Sequence, residues 1–253
     1  MISIVLLGTG NVAIHLFHAF QKAKDIAIVQ DSGIKKTKLS YFEAFSKVTD
    51  NSSQIIDADI YILAITDVSI PQVSRSLCHK KGLVVHTSGG VSVDAITTKR
   101  RGVFYPLQTF TKGKEVDFSK IPICIEAEHP DDFLLLETLG TSISEKVHQI
   151  SSTQRRKLHL SAVLVNNFTN HLFHIAHEVC KENGIPFHLL HPLISETVDK
   201  IRHLPPVKAQ TGPARRNDVE TIQMHLEQFE NPLQRKLYQL LSESIKTTYE
   251  KEL

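Results

Sequence analysis

The sequence predicts an α/β domain built on a parallel sheet, followed by an all-α domain. Two observations carry this prediction. Through residues 1–150, short runs that are apolar at every position alternate with segments of helical periodicity, the pattern of strands buried on both faces and joined by helices. From residue 151 to 253 no strand-like alternation occurs, and the periodicity is helical to the end. The predicted domains are therefore 1–150 and 151–253.

In chain order, Ile2–Leu7 ("ISIVLL") is the first strand, and residues 11–23 follow as a helix. Residues 26–29 form the second strand, and Val48 marks a very short one. Residues 60–65 and Leu83–His86 are further strands, with a helix over 70–78 between them. A strand at 121–125 closes this half, and a helix begins after Pro130. In the second domain, 153–183 read as one long helix stopped by Gly184 and Pro186. Helices are also expected over 187–203, 218–229 and 232–251, with the loop "LPPVKAQTGPARRND" before the third.

Charge excludes some function classes. Lys and Arg number 29 against 27 Asp and Glu, a net charge of +2, and no basic run exceeds the three residues of 99–101 and 155–157, so nucleic acid is not an expected partner. Cys78, Cys124 and Cys180 are odd in number and far apart, which argues against disulfides or a zinc site and for a reducing compartment. The apolar run at the start lacks a basic segment and ends in a glycine turn, so a buried strand is expected, not a signal peptide. "IYILAI" is too short to span a bilayer. A cytoplasmic protein without a membrane partner is the expectation.

"GTGNVA", residues 8–13, follows the first strand and opens a helix. Gly8 and Gly10 allow a tight turn and let backbone approach a pyrophosphate, while the helix N-terminus offers free N–H groups to the anion. Thr9 and Val12 complete the turn, Ala13 stands at the third glycine position, and Asn11 is placed to cap the helix. In this strand–turn–helix context the motif predicts a Rossmann-type dinucleotide site. Asp31 is positioned either to bond the ribose hydroxyls of NAD or as a turn residue. Ser32 with Lys35 and Lys36 suits the extra phosphate of NADP, so the cofactor is NADP or NAD. Thr66 and Asp67 end another strand and either border the same crevice or, for Asp67, cap the next helix.

"HTSGG" also ends a strand. His86, Ser88 and Gly89 form either a loop that holds a substrate carbonyl or carboxylate, or a plain turn. Tyr105, Pro106 and Gln108 in "YPLQTF" supply the next wall, although Pro106 equally ends a strand. "QTGPARRND" offers Arg215 and Arg216 as anion ligands or as a solvated turn, with Asp218 orienting an arginine or capping a helix.

Residues 158–177 contain no Lys, Arg, Asp or Glu. At 100° per residue, His159, Asn166, Asn170 and His177 share a narrow arc opposite Val165, Phe168, Leu172, Ile175 and Val179. The polar arc faces the cofactor cleft, another helix or a second subunit. His171, His174 and His177 drift around the helix and no carboxylate completes a site, so no metal is expected.

"LGTGNVA", "HTSGG", "GVFYPLQTF", "HLSAVLVNNFTNHL" and "QTGPARRND" together resemble bacterial proteins that join a Rossmann-like domain to a helical domain of unknown function. The first half is similar to deazaflavin-dependent NADP oxidoreductases, and more widely to the 6-phosphogluconate dehydrogenase-like superfamily, with ketopantoate reductase and pyrroline-5-carboxylate reductase. The resemblance implies an NAD(P)-dependent oxidoreductase acting on a small carbonyl, imine or alcohol, dimeric through its helical domain; it implies no particular substrate. Ketopantoate reductases space a Lys and two Asn four residues apart; with the last Asn on Asn167, this chain has Val163 at the middle place and His159 at the lysine. The resemblance thus gives His159 the role of proton donor. Asn166 and Asn170 would orient the substrate, and Arg215 would hold an anionic group. The alternative is a nucleotide-binding sensor or scaffold without turnover.

Overall fold

The computed structural model describes residues 1–33 and 39–250. Among them, eight strands form one sheet: β1 (Ile2–Leu7), β2 (Ile26–Ser32), β3 (Lys47–Thr49), β4 (Ile60–Leu63), β5 (Leu83–His86), β6 (Arg101–Pro106), β7 (Ile123–Ala127) and β8 (Val147–Gln149). Their order is β3-β2-β1-β4-β5-β6-β7-β8. The first six are parallel to their neighbours, β7 runs antiparallel to β6, and β8 is parallel to β7. Strand order therefore reverses between β1 and β4, and a crevice opens beyond their carboxyl ends, where doubly wound sheets bind ligands.

The continuous apolar runs are explained by cover on both faces. Ile4, Leu6, Ile60 and Ile62 join a buried cluster with Phe17 and Phe20 of α1 (Asn11–Gln21) and Leu136 and Leu139 of α3 (Pro130–Thr141). The alternate residues Val5, Leu7, Tyr61 and Leu63 join a second cluster with Ile70 of α2 (Ile70–Ser76). Each strand thus sends successive side chains into opposite cores. The reading of the sequence gives β6 only as a strand end at Pro106 and does not assign β8. β6 begins with an arginine and ends with Pro106, and β8 is a three-residue edge strand, mostly exposed.

The chain divides into two compact units, 1–167 and 168–253, not at residue 150. Helix α4 (Ser152–Ala162) belongs to the first unit and starts with a capping box between Ser151 and Gln154. The long helix expected over 153–183 is interrupted by a π-helical segment, Val163–Phe168, before resuming as α5 (Thr169–Glu182). The second unit continues with α6 (His191–His203), α7 (Pro206–Ala209), α8 (Val219–Glu227) and α9 (Pro232–Tyr249). Gly184 takes a φ of +67° just past α5, the left-handed turn that a helix end asks of glycine. No helix among the described residues is long and apolar enough to cross a membrane.

Candidate active site

The glycine turn sits at the carboxyl end of β1. Gly8 has a φ of +140°, and a Cβ there would lie 2.1 Å from the Ala64 carbonyl oxygen just past β4, so only glycine fits. A Cβ on Gly10 would meet no protein atom within 4 Å; it would take up open space on the cavity wall. Gly10 is also the N-cap of α1, with no side-chain cap bond, which leaves the helix's first N–H groups for a ligand. Asn11 is not the cap that the sequence suggested: its Nδ2 donates to the Phe110 carbonyl 2.9 Å away and ties the turn to the segment carrying Gln108. These features fit a pyrophosphate held by backbone.

A cavity of about 1090 Å³ lies against this turn, at the upper end of the range for small-molecule sites. Gly8, Thr9, Gly10, Asn11, Val12, Ser32, Thr66, Gln108, His159 and Asn166 all border it. No Lys or Arg does so among the described residues; Lys35 and Lys36 lie outside those residues.

Asp31 is turned the other way. Strand β2 runs three residues further than expected, and its alternation aims Ser32 at the cavity and Asp31 into the core. Asp31 is fully buried, accepts from the Ser46 hydroxyl, and leaves Oδ1 without a partner. Burial pushes its carboxyl up to about 7. The carboxylate bordering the cavity after β3 is the exposed Asp50, which the sequence reading did not single out.

The "HTSGG" loop holds itself and its neighbours. His86 is fully buried on β5; its Nδ1 accepts from the Ser88 N–H at 3.1 Å, and its Nε2 faces the Ser92 carbonyl at 3.4 Å. Burial, then the positive charge of Arg155, lowers its pKa to about 4. Ser88 Oγ accepts from the N–H groups of Gly90 and Val91. His86 and Ser88 are thus committed to the loop, and Thr87 is the residue there that borders the cavity. Across the loop lies Arg155, fully buried, which donates to the Ser88 and Val91 carbonyls and pairs with Glu126. Glu126 also accepts from Ser152 N and Oγ at 2.8 and 2.7 Å. This network clamps the start of α4 to the loop. Its partners are distant in sequence, and neither Arg155 nor Glu126 carries a local signal.

One turn beyond Arg155, the His159 ring rests against Gly89, where a Cβ would come within 2.5 Å of Nδ1. Gly89 is therefore the ring's floor, a role its place in a substrate loop did not suggest. Tyr105, near the end of β6, presents its hydroxyl 3.1 Å from Nδ1, with the rings edge-on at 6.1 Å. Burial raises the tyrosine's pKa. The π segment closes a wider turn than an α-helix, so each residue advances by less than 100°. Asn167 consequently joins Asn166 on the cavity wall, a pairing that a uniform 100° step does not give.

Asn170 and Arg215 belong to the second unit. Asn170 is exposed on α5. Arg215 donates to the Gln210 carbonyl and lies 5.1 Å over the Tyr249 ring. Asp218 caps α8 by accepting from the Thr221 N–H, and Arg216 is 3.9 Å from it. The described residues contain no group of three or more His, Cys, Asp or Glu that could hold a metal.

Sheet order, glycine turn and cavity define a Rossmann-type dinucleotide-binding unit joined to a helical unit. Residues 121–245 match the model of a domain of unknown function, DUF2520. A protein from Bacteroides fragilis, named as a candidate NADP oxidoreductase, is 36% identical over 97% of this chain and 98% of its own, with a TM-score of 0.89. At that identity over nearly the whole of both chains, the chain belongs to one family with the Bacteroides fragilis protein. A Thermotoga maritima protein (19% identity, 98% and 99% covered, TM-score 0.74) shares the fold. So does Plasmodium falciparum pyrroline carboxylate reductase, solved with NADP bound (11% identity, 98% of each chain covered, TM-score 0.61). No curated protein matches the chain.

Proposed function

We propose that the chain is an NAD(P)-dependent oxidoreductase acting on a small carbonyl, imine or alcohol. One observation carries the reading: a single cavity is bordered both by the glycine turn and by the His159–Tyr105 pair. The 36%-identical relative named as a candidate NADP oxidoreductase supports it. When bound in reduced form, the dinucleotide supplies a hydride with its electron pair. The chain's own part is to hold the pyrophosphate on the N–H groups after Gly8, to meet the ribose with Ser32 and Asp50, and to flank the nicotinamide with Thr66. His159 exchanges a proton with the substrate heteroatom, and Asn166 orients the substrate. Ser32 favours the 2′-phosphate of NADP and Asp50 favours a free 2′-hydroxyl, so Asp50→Ala shifts preference toward NADP.

The test is thermal shift with NADPH and NADH, followed by turnover against keto acids, aldehydes and cyclic imines. His159→Ala lowers kcat about 100-fold or more with dinucleotide affinity unchanged. If neither dinucleotide raises the melting temperature, the reading fails. Binding without turnover across the panel favours the sensor.

We further infer a homodimer formed through the helical unit. Of its apolar side chains only Cys180, Ala214 and Tyr249 are buried among the described residues, while Leu172, Leu189, Leu193, Ile201, Leu233 and Leu240 are exposed. A second copy of the same unit is the partner that would cover them.

A further inference from the structure

We propose that Tyr105 is the positioning residue that keeps a proton on Nδ1 of His159 and so makes Nε2 the nitrogen that exchanges protons with substrate. The proposal rests on the reading of His159 as the proton donor. The geometry constrains the ring on its Nδ1 side: the Tyr105 hydroxyl stands 3.1 Å from Nδ1, and the Gly89 backbone packs against the same edge without room for a Cβ. Nε2 has no hydrogen-bond partner among the described residues. Tyr105 is held in turn by β6, which pairs it with Cys124 of β7, and its ring is nine-tenths buried. The loop under the ring is fixed by Arg155 on the turn of α4 that precedes His159.

The protons balance as follows. In reduction, carbon takes the hydride, the C=O or C=N π pair moves to the heteroatom, and that heteroatom takes the proton from Nε2 of the imidazolium. The imidazole left behind is neutral, keeps its Nδ1 proton, and donates it to Tyr105 Oη. Solvent then returns a proton to Nε2, which the exposed side of His159 permits. Oxidation of an alcohol runs the same steps backwards, with bare Nε2 as base. Tyr105 itself gives up nothing: burial holds its phenol protonated, and in the imidazolium, where both ring nitrogens carry protons, its oxygen accepts from Nδ1. Without that acceptor the neutral ring is free to place its proton on Nε2, and the nitrogen that meets substrate is then blocked as a base.

The experiment is long-range proton–nitrogen NMR on ¹⁵N-histidine-labelled protein, with the His159 signals assigned by their loss in His159→Gln. With the ring neutral, wild type shows a protonated Nδ1 and a bare Nε2. In Tyr105→Phe, which keeps the ring packing, the ratio of Nδ1–H to Nε2–H tautomers falls about fivefold, the worth of one hydrogen bond. A wild-type ring protonated on Nε2, or a ratio unchanged in Tyr105→Phe, overturns the proposal, and the wild-type measurement alone is sufficient to do so. Thermal shift with NADPH is run on both proteins. Its loss in wild type sinks the oxidoreductase reading and leaves the tautomer result standing, so the two failures are distinguishable.

Discussion

The two units solve the problem of burial differently. The α/β unit covers both faces of its sheet from within: alternate residues of each strand enter one or the other of two closed clusters. The helical unit carries amphipathic helices of comparable apolar content yet leaves most of that surface open. A hydrophobic face contributes stability only when removed from water, at roughly 25 cal/mol per Å². The first unit therefore draws its burial from its own chain, while the second leaves open the face on which the proposed dimer rests.

The difference can be broken first at Arg155. Its fully buried charge is paired and hydrogen-bonded inside the α/β unit, and Arg155→Ala strands Glu126, costing about 3–5 kcal/mol in chemical denaturation. Arg215→Ala, which removes an arginine of the helical unit packed on Tyr249, costs about 1 kcal/mol. Equal losses would dissolve the contrast.

Next comes acid. Asp31 has a folded pKa near 7, above that of an unfolded aspartate, so the native state binds its proton first and stability from this group grows as pH falls from 7 toward 4. His86 has a folded pKa near 4, below the unfolded value, so the unfolded state binds its proton first and stability falls over nearly the same window, from about 6.5 to 4. The two oppose each other, worth about 4 kcal/mol for Asp31 and about 3 kcal/mol for His86 at full extent. Asp31→Asn removes one side, and the variant loses stability on acidification between pH 6.5 and 4 where wild type changes little. A parallel pair of curves would show that these groups are not what titrates.

A charge in the helical face sharpens the comparison further. Leu193→Glu leaves the folded unit's stability within about 1 kcal/mol at low concentration, because the side chain is exposed, yet shifts sedimentation from dimer to monomer. A sedimentation profile unchanged from wild type would remove that face from the interface. The smallest expected effect on stability comes from deleting Leu164. This converts the π segment to regular helix, leaves the melting temperature within a few degrees, and turns Asn166 and Asn167 away from His159, abolishing turnover.

Much of this was legible. The sheet, the glycine turn and the helical half followed from periodicity and turn chemistry, because those depend on neighbours in sequence. Asp31 did not: polar Gln30, Asp31 and Ser32 disguised the end of β2, and in a strand each one-residue step exchanges core for crevice. The sequence marks Tyr105 as a wall, and nothing in it links that residue to His159, which lies 54 residues away. The π turn breaks no local rule of composition, so a uniform helical step could place Asn166 on the cavity and still miss Asn167.

Gly89 has a consequence for engineering. With no β-carbon between the loop and the imidazole, the loop and α4 fit as a matched pair. A helix with another side chain at the place of His159 cannot be exchanged alone. A graft that exchanges the helix must bring its own 86–92 loop, and a library that varies the loop must keep residue 89 as glycine or give up the histidine. The unit of inheritance at this site is the interlocked pair.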